Sequence, residues 1–307
     1  MSEKFSLKGK TFIKLAIAVS VSLICLLYVV SIFDWREIWK SLQKADTIRF
    51  FLGTVLNLLA YFYLRSVRWY LLLKSENLNV PFLKLYLYNS VSIGLSTITP
   101  FQSGEAVKVE FLRNYGGKRL SGYTIFVLER LLDLLMVSGL AITGAFFGFD
   151  FGLPLYYFYL AAAAVIVLFL TGVGIIFLLP SGRIIWLKEL LRGKWREKWT
   201  ILAAMILTAA AWLVVVFGWK NALASVSVEI DFLPSVSLVA LTTLLAIISF
   251  VPGAVGVSEI SISTILIKMG VASSSAQTGA IAIRGYALVI LILTLLHWII
   301  LKATSKK

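Results

Sequence analysis

The sequence predicts an all-α, polytopic integral membrane protein, with about six full transmembrane helices and two broken re-entrant hairpins in an inverted-topology repeat. Three observations carry that expectation. Of the 307 residues, 60% are apolar and 14% are charged, where an ordinary soluble domain carries roughly 25% charged residues. Mean hydropathy is +0.92, so lipid is the solvent for most of the chain. The 29 Lys and Arg outnumber the 15 Asp and Glu, giving a net charge of +14, and they fall in short stretches between apolar runs, as cytoplasmic loops do. Finally, an apolar run in each half is interrupted by a similar polar motif. A cytosolic enzyme, a disordered chain and a secreted disulfide scaffold are excluded. Nucleic acid is a poor fit for positive charge placed in this way, and the single Cys25 excludes an internal disulfide or a cysteine metal cluster.

The elements follow in order. Lys4, Lys8, Lys10 and Lys14 precede an uncharged run from Leu15 to Phe33 with no small-x-small cleavage site after it, which predicts a retained first span with its N-terminus inside. Trp35, Ile38, Trp39 and Leu42 recur at helical spacing among charges and predict an interfacial amphipathic helix on the outer side. A second span runs from about Ile48 to Leu64 and arrives inside at Arg65, Arg68 and Lys74. The segment from Leu83 to Thr99 is rich in Ser, Thr and Asn and stops at Pro100, and a basic stretch with Lys108, Arg113, Lys118 and Arg119 follows. Positive charge belongs inside, so this segment is expected to dip in from the cytoplasm and return.

A long helix from about Ser121 to Gly148 carries Glu129, Arg130 and Asp133, and Leu155 to Leu179 is a clear span. The loop from Pro180 to Trp199 is strongly basic and predicts a helix lying on the cytoplasmic surface. Thr200 to Trp219 spans outward. Phe232 to Val251 breaks at Pro252-Gly253-Ala254-Val255-Gly256, and Glu259 opens a second apolar run to Met269. After a Ser-rich turn at Ser273 to Ser275, the last helix, about Ala276 to Leu301, carries Arg284 and ends inside at Lys302, Lys306 and Lys307. The chain is expected to form one membrane domain over 1–307, with repeat halves at 1–150 and 151–307, and to lie in the cell (inner) membrane with both termini cytoplasmic.

The two breaks match. Pro100-Phe101-Gln102-Ser103-Gly104-Glu105 precedes a helix bearing Arg130; Pro252-Gly253-Ala254-Val255-Gly256-Val257-Ser258-Glu259 precedes one bearing Arg284. Full span, broken hairpin and full span recur with opposite orientation, an arrangement used by many secondary transporters. Ser103 and Ser258 occupy N-cap positions with Glu105 and Glu259 in the first helical turn, where carboxylates favour the positive helix end. Pro100, Gly104, Pro252, Gly253 and Gly256 are the hinge residues. Arg130 and Arg284 are expected near the bilayer midplane, where an Arg costs at least about 2.5–3.5 kcal/mol and needs a partner or a polar cavity. Glu129 and Asp133 share a helix face and are placed to neutralise Arg284, Arg65 or Arg68. The substrate-binding candidates are therefore Arg130, Arg284, Glu129, Asp133, Glu105, Glu259, Ser103, Ser258, Arg65 and Arg68. No nucleophile–base constellation and no metal cluster is apparent. His297 is read as interfacial, Asn57 as a helix–helix hydrogen bond and Cys25 as packing.

At these residues the chain resembles the lysylphosphatidylglycerol synthase transmembrane-region family, also called flippase-like domain proteins. The resemblance rests on Thr99 to Glu105, Leu128-Glu129-Arg130-Leu131-Leu132-Asp133, Val251 to Glu259, Arg284, and Arg65-Ser66-Val67-Arg68-Trp69. It implies a domain that moves lipids or lipid-linked molecules between leaflets. The 307 residues include no soluble aminoacyl-transferase domain, so synthase activity and cofactors are not expected. The favoured reading is a flippase-like transporter for an anionic phospholipid or a polyprenyl-phosphate-linked lipid, with Arg130 and Arg284 taking the phosphate. The enzyme alternative is a membrane glycosyltransferase or other lipid-modifying enzyme using Asp34 and Glu37. The third is a non-catalytic subunit docking a lipid-synthesis enzyme at Arg183 to Lys198. Membrane lipids are the expected partners, beside a second copy of the chain or that enzyme.

Overall fold

The computed structural model describes residues 20–74, 78–113, 115–116, 119–147, 198–249 and 251–305. The beginning of the first span, the span expected at 155–179, most of the basic loop after it and the 150/151 half boundary lie outside them. Among the described residues every regular element is helical. The chain order is α1 (Ser20–Ile32), α2 (Trp35–Gln43), α3 (Thr47–Lys74), α4 (Phe82–Ile98), a 3-10 turn (Pro100–Ala106), α5 (Val107–Arg113) and α6 (Arg119–Phe147). It continues with α7 (Lys198–Ala224), α8 (Phe232–Ile248), a second 3-10 turn (Pro252–Ala254), α9 (Val257–Lys268) and α10 (Ser273–Ser305). Helices α3, α7 and α10 are long and apolar enough to cross a membrane, and the fold is that of an all-α polytopic membrane protein.

Side-chain chemistry sets several ends. Asp34 Oδ1 accepts from the Glu37 N–H at 3.1 Å and caps α2, and Asp46 Oδ1 does the same for Arg49 at 2.8 Å to open α3. Helix α2 buries Ile38 while Trp35 and Trp39 stay exposed, the split of a helix lying at an interface. Gly270, in the left-handed region at φ +83°, closes α9: the Val271 N–H reaches back to the Leu266 carbonyl at 3.0 Å. Span ends differ from the sequence expectation in two places. Helix α3 does not stop at Leu64 but runs ten residues further, carrying Arg65 and Arg68 inside the bundle. Helix α10 begins at Ser273 rather than after the Ser-rich turn.

Neighbouring helices run antiparallel, and their contacts define two ends of the bundle. At one end the Asp46 N–H bonds the Ser225 carbonyl at 2.9 Å, Gly53 lies against Asn221, and Gly144 lies against Ser237. There the C-termini of α6 and α7 meet the N-termini of α3, α8 and α10. At the other end, His297 near the close of α10 meets Tyr86 near the start of α4. The two 17-residue half-helices, each about 25 Å long, thus enter from opposite ends. Their tips touch, since a Cβ on Gly253 would stand 3.4 Å from the Thr97 carbonyl oxygen.

A broken backbone inside a membrane persists only where protein or a polar cavity satisfies it. At the first break the Thr99 hydroxyl accepts from the Gly104 N–H at 2.7 Å and lies 3.0 Å from the Leu95 carbonyl. The turn folds back so tightly that a Cβ on Gly104 would sit 2.4 Å from the Leu95 carbonyl carbon. The second break uses backbone conformations that favour glycine, with φ of +62° at Gly253 and +81° at Gly256. His297, near the end of α10, is buried among helices: it packs against Phe62 and Tyr86 and places Nδ1 2.6 Å from the Leu293 carbonyl.

These contacts predict opposite outcomes at two glycines. Gly104→Ala forces backbone against backbone and should lower the unfolding temperature in detergent by several degrees, the scale of about 1–3 kcal/mol for overpacking. Gly139→Ala, with nothing within 4 Å of the new methyl, should leave it unchanged or slightly raised.

Candidate functional site: two charged hairpins around a central cavity

The first hairpin is fastened by a buried charge network. Helix α3 brings Arg65 and Arg68 to one face, three residues apart, and α6 brings Glu129 and Asp133 opposite them. Arg65 Nη2 lies 3.0 Å from both Glu105 oxygens and 3.2 Å from Asp133 Oδ2. Its Nη1 donates to the Tyr61 hydroxyl at 2.9 Å. Arg68 donates to Asp133 Oδ1 at 2.7 Å, to Thr208 Oγ1 at 2.9 Å and to Glu129 Oε1 at 3.1 Å. Lys108 Nζ sits between Glu105 at 3.0 Å and Glu129 at 3.2 Å, above the Trp69 ring. Arg130 Nη2 is 2.9 Å from Glu105 and 2.7 Å from Asp133. Among the described residues, four cations thus share three carboxylates. Arg65 Nε is buried without a hydrogen-bond partner.

The second hairpin has a much lighter fastening. Arg284 Nε pairs with Glu259 Oε1. Its Nη2 donates to Ser258 Oγ at 2.6 Å, while Nη1 and Nη2 lie 3.1 and 3.4 Å from the Gly253 and Ala254 carbonyls. Glu259 Oε2 accepts from the Gly256 N–H at 2.8 Å and lies 3.0 Å from Ser258 Oγ, so this carboxylate caps α9 and holds Arg284 at once. Arg130 and Arg284 each stand eleven residues into their helices, α6 and α10, about 16 Å along and measured from opposite ends of the bundle.

Between the tips lies a cavity of about 230 Å³. Its charged lining residues are Glu105, from the first hairpin, and Arg284. Hydroxyls of Tyr61, Thr97, Thr99, Thr242 and Ser258 face a largely apolar wall that includes Trp212 and Trp219. Thr242 Oγ1 is buried there with no hydrogen-bond partner. Tyr286, also on the wall, donates to Asn57 Oδ1 at 2.7 Å, and Asn57 Nδ2 donates to the Val214 carbonyl at 2.7 Å. Asn57 is thus a helix–helix hydrogen bond. Cys25 packs beneath the second tip, where a Cβ on Gly256 would come within 2.4 Å of its own.

Several expectations change. Ser103 does not cap a helix: it is exposed within the 3-10 turn, and Thr99 supplies the hydroxyl instead. Ser258 is not the cap either; Gly256 occupies that position and Ser258 binds Arg284. Glu105 sits in the 3-10 turn, before α5 begins. Glu129 and Asp133 neutralise Arg65, Arg68 and Lys108 rather than Arg284. Lys108 was read as part of an exposed basic stretch, yet it is 2% exposed. Its signal was its spacing, since it follows Glu105 by three residues and so lies one turn away on the same face. On the outer helix, Asp34 is engaged in capping and Glu37 pairs with Lys40 at 2.6 Å. That hydrogen bond holds the Lys40 ammonium above its ordinary pKa.

The chain matches the family model described as lysylphosphatidylglycerol synthase TM region over residues 12–294. It belongs to that family. A UPF0104 membrane protein of Pyrococcus horikoshii is 25% identical over 270 residues, covering 76% of this chain and 80% of that one. With its apolar helices, the chain is a multi-pass membrane protein of the flippase-like family.

Removing one partner of a buried ion pair leaves a charge stranded, at a cost of about 3–5 kcal/mol, whereas an exposed pair contributes about 0–1 kcal/mol. Arg68→Ala should therefore depress thermal stability in detergent severely. Arg113→Ala, which removes an exposed pair with Glu110, should shift it little.

Proposed function

We propose that this protein moves a lipid between membrane leaflets by receiving its phosphate-bearing headgroup in the cavity between the two hairpin tips. The observation that carries this reading is the position of Arg284. It is a guanidinium at membrane depth, partly exposed to the cavity, with two of its nitrogens held only by backbone carbonyls and a hydroxyl. Guanidinium forks bind phosphate through paired hydrogen bonds, and broken half-helices aimed at the midplane are how secondary transporters build their sites. The acyl or prenyl tails would stay among the apolar helices outside, since a cavity of this size is smaller than the roughly 300–1,000 Å³ that encloses a drug-sized ligand.

In this reading the basic end of the bundle, with Lys74 at the close of α3 and Lys302 at that of α10, faces the cytoplasm of a cell membrane, and both termini lie on that side. The first network acts as the fixed wall, reaching the cavity through Glu105, with Arg130 directly behind that carboxylate. No catalytic residue is needed, since transfer between leaflets breaks no covalent bond. The polar groups lower the barrier that a headgroup meets in hydrocarbon.

Reconstitution tests the proposal. Liposomes containing the purified protein should equilibrate a fluorescent phospholipid between leaflets faster than protein-free liposomes. Arg284→Ala and Arg130→Ala should slow this by about 10- to 100-fold, the equivalent of roughly 1.5–3 kcal/mol for a hydrogen bond to a charged group. Arg113→Ala should not. Equal rates with and without wild-type protein would end the transport reading.

A further inference from the structure

We propose that the Thr242 hydroxyl is a second protein group on the headgroup phosphate, donating to an oxygen of the phosphate that Arg284 holds. This deepens the proposed function and rests on its reading that the cavity receives a headgroup. Helix α8 carries four hydroxyl side chains. Three of them donate to the carbonyl four residues back: Ser235 to Asp231 at 2.7 Å, Ser237 to Leu233 at 3.3 Å and Thr243 to Val239 at 2.7 Å. That bond is the usual way for a hydroxyl on a helix in apolar surroundings to meet its need. Thr242 is the exception. The residue is 2% exposed, and its Oγ1 has no hydrogen-bond partner. A buried polar group left unmet destabilises the protein that carries it and calls for an explanation. A ligand supplies one.

Two features place this side chain at the cavity, level with Arg284. The first is the face of the helix. Ser237 meets Gly144 of α6, and Ala240 and Leu244 pack with Val137 and Ala141 of the same helix. Thr242 stands two residues from both Ala240 and Leu244, about 200° around the axis, so it turns away from α6. It lines the cavity with Ala246, one turn further on, and Arg284 lines it from α10. The second feature is depth. Helices α8 and α10 start at the same end of the bundle, and Thr242 lies ten residues past Phe232 as Arg284 lies eleven past Ser273. Both are therefore about 15–16 Å along. The oxygens of an ionised phosphodiester only accept hydrogen bonds, so they take N–H from the guanidinium and O–H from the hydroxyl. A headgroup held in this way spans α8 and α10, the helix that leads into the second break and the helix that follows its return.

Thr242→Val tests this, because it keeps the shape of the side chain and removes the hydroxyl. In proteoliposomes carrying fluorescent phosphatidylglycerol it should slow translocation by about 10- to 100-fold, the scale of a hydrogen bond to a charged group. Thr242→Ser should retain most of the wild-type rate. In detergent without added lipid, Thr242→Val should unfold at or above the wild-type temperature, since it deletes an unmet buried group. Lost transport with undiminished stability is a combination that a purely structural hydroxyl does not give. A Thr242→Val rate equal to wild type overturns the inference and leaves the transport reading standing; that is the outcome if cavity water alone serves the hydroxyl. Slowing with a lowered unfolding temperature, or a Thr242→Ser variant as slow as Thr242→Val, overturns it too. If Thr242→Val does not purify folded, Thr242→Ala decides by the same rate comparison. Binding separates this claim from transport, read as the thermal shift that short-chain phosphatidylglycerol gives in detergent. If the wild type moves no lipid but shows a shift that Thr242→Val weakens, the Thr242 contact stands and the transport reading falls. No shift and no transport removes both.

Discussion

Glu105 is the residue on which the first half of the structure depends. It sits in a 3-10 turn at the point where a half-helix reverses inside the bundle, and three cations from α3, α5 and α6 converge on it. A turn in this setting loses backbone hydrogen bonds with no water to replace them. The charges make good that loss indirectly. They tie the turn to three helices whose own packing is fixed by Trp69, Phe111, Leu112 and their neighbours. The ion pairs need not be net stabilising against an apolar core of the same shape. What they supply is a geometry in which a reversed, hydroxyl-rich segment cannot slide back into a continuous span.

The second half solves the same steric problem differently. Here left-handed glycines make the turn, and a single carboxylate both caps the returning helix and holds the Arg284 guanidinium. The halves share an order of elements and opposite orientations, yet they differ in stiffness and in access. In the first cluster Arg65 and Arg68 are almost fully buried and Arg130 keeps a fifth of its side chain exposed; Arg284 keeps a quarter. An inverted repeat with equal halves would offer the same site twice. This one pairs a hairpin fastened by several buried ion pairs with a hairpin fastened by one.

The spans α3, α7 and α10 and the two breaks were legible in the sequence because composition alone dictates them. An apolar run needs lipid, a basic loop needs an aqueous face, and Pro-Gly at membrane depth needs a reason. The positions of Arg130 and Arg284 followed from counting along helices. The pairings did not follow, because they depend on which helix faces which. Arg65 and Arg68 looked like a cytoplasmic end since charge usually marks one, but α3 continues for ten residues beyond Leu64 and carries them inside. Lys108 was hidden by its neighbours, Arg113, Lys118 and Arg119, which make the stretch read as solvated. Nothing local distinguishes His297 buried against Tyr86 from a histidine beside Trp298 at a membrane surface.

The difference in fastening bears on how any headgroup reaches the cavity. The tips touch at Thr97 and Gly253, so a path between them must displace one or the other. Displacing the first parts Glu105 from three cations and opens a buried charge network. Displacing the second parts one ion pair, the hydrogen bond to Ser258 and two carbonyl contacts, and its glycines already occupy conformations that adjoin other allowed regions for a residue without a Cβ. The second tip is therefore the cheaper one to move. An anion arriving at Arg284 lowers that cost further, since it replaces the contacts between the guanidinium and the turn. In the proposed carrier, ligand binding and release of the tip are then one event, a coupling that two equally rigid halves would lack.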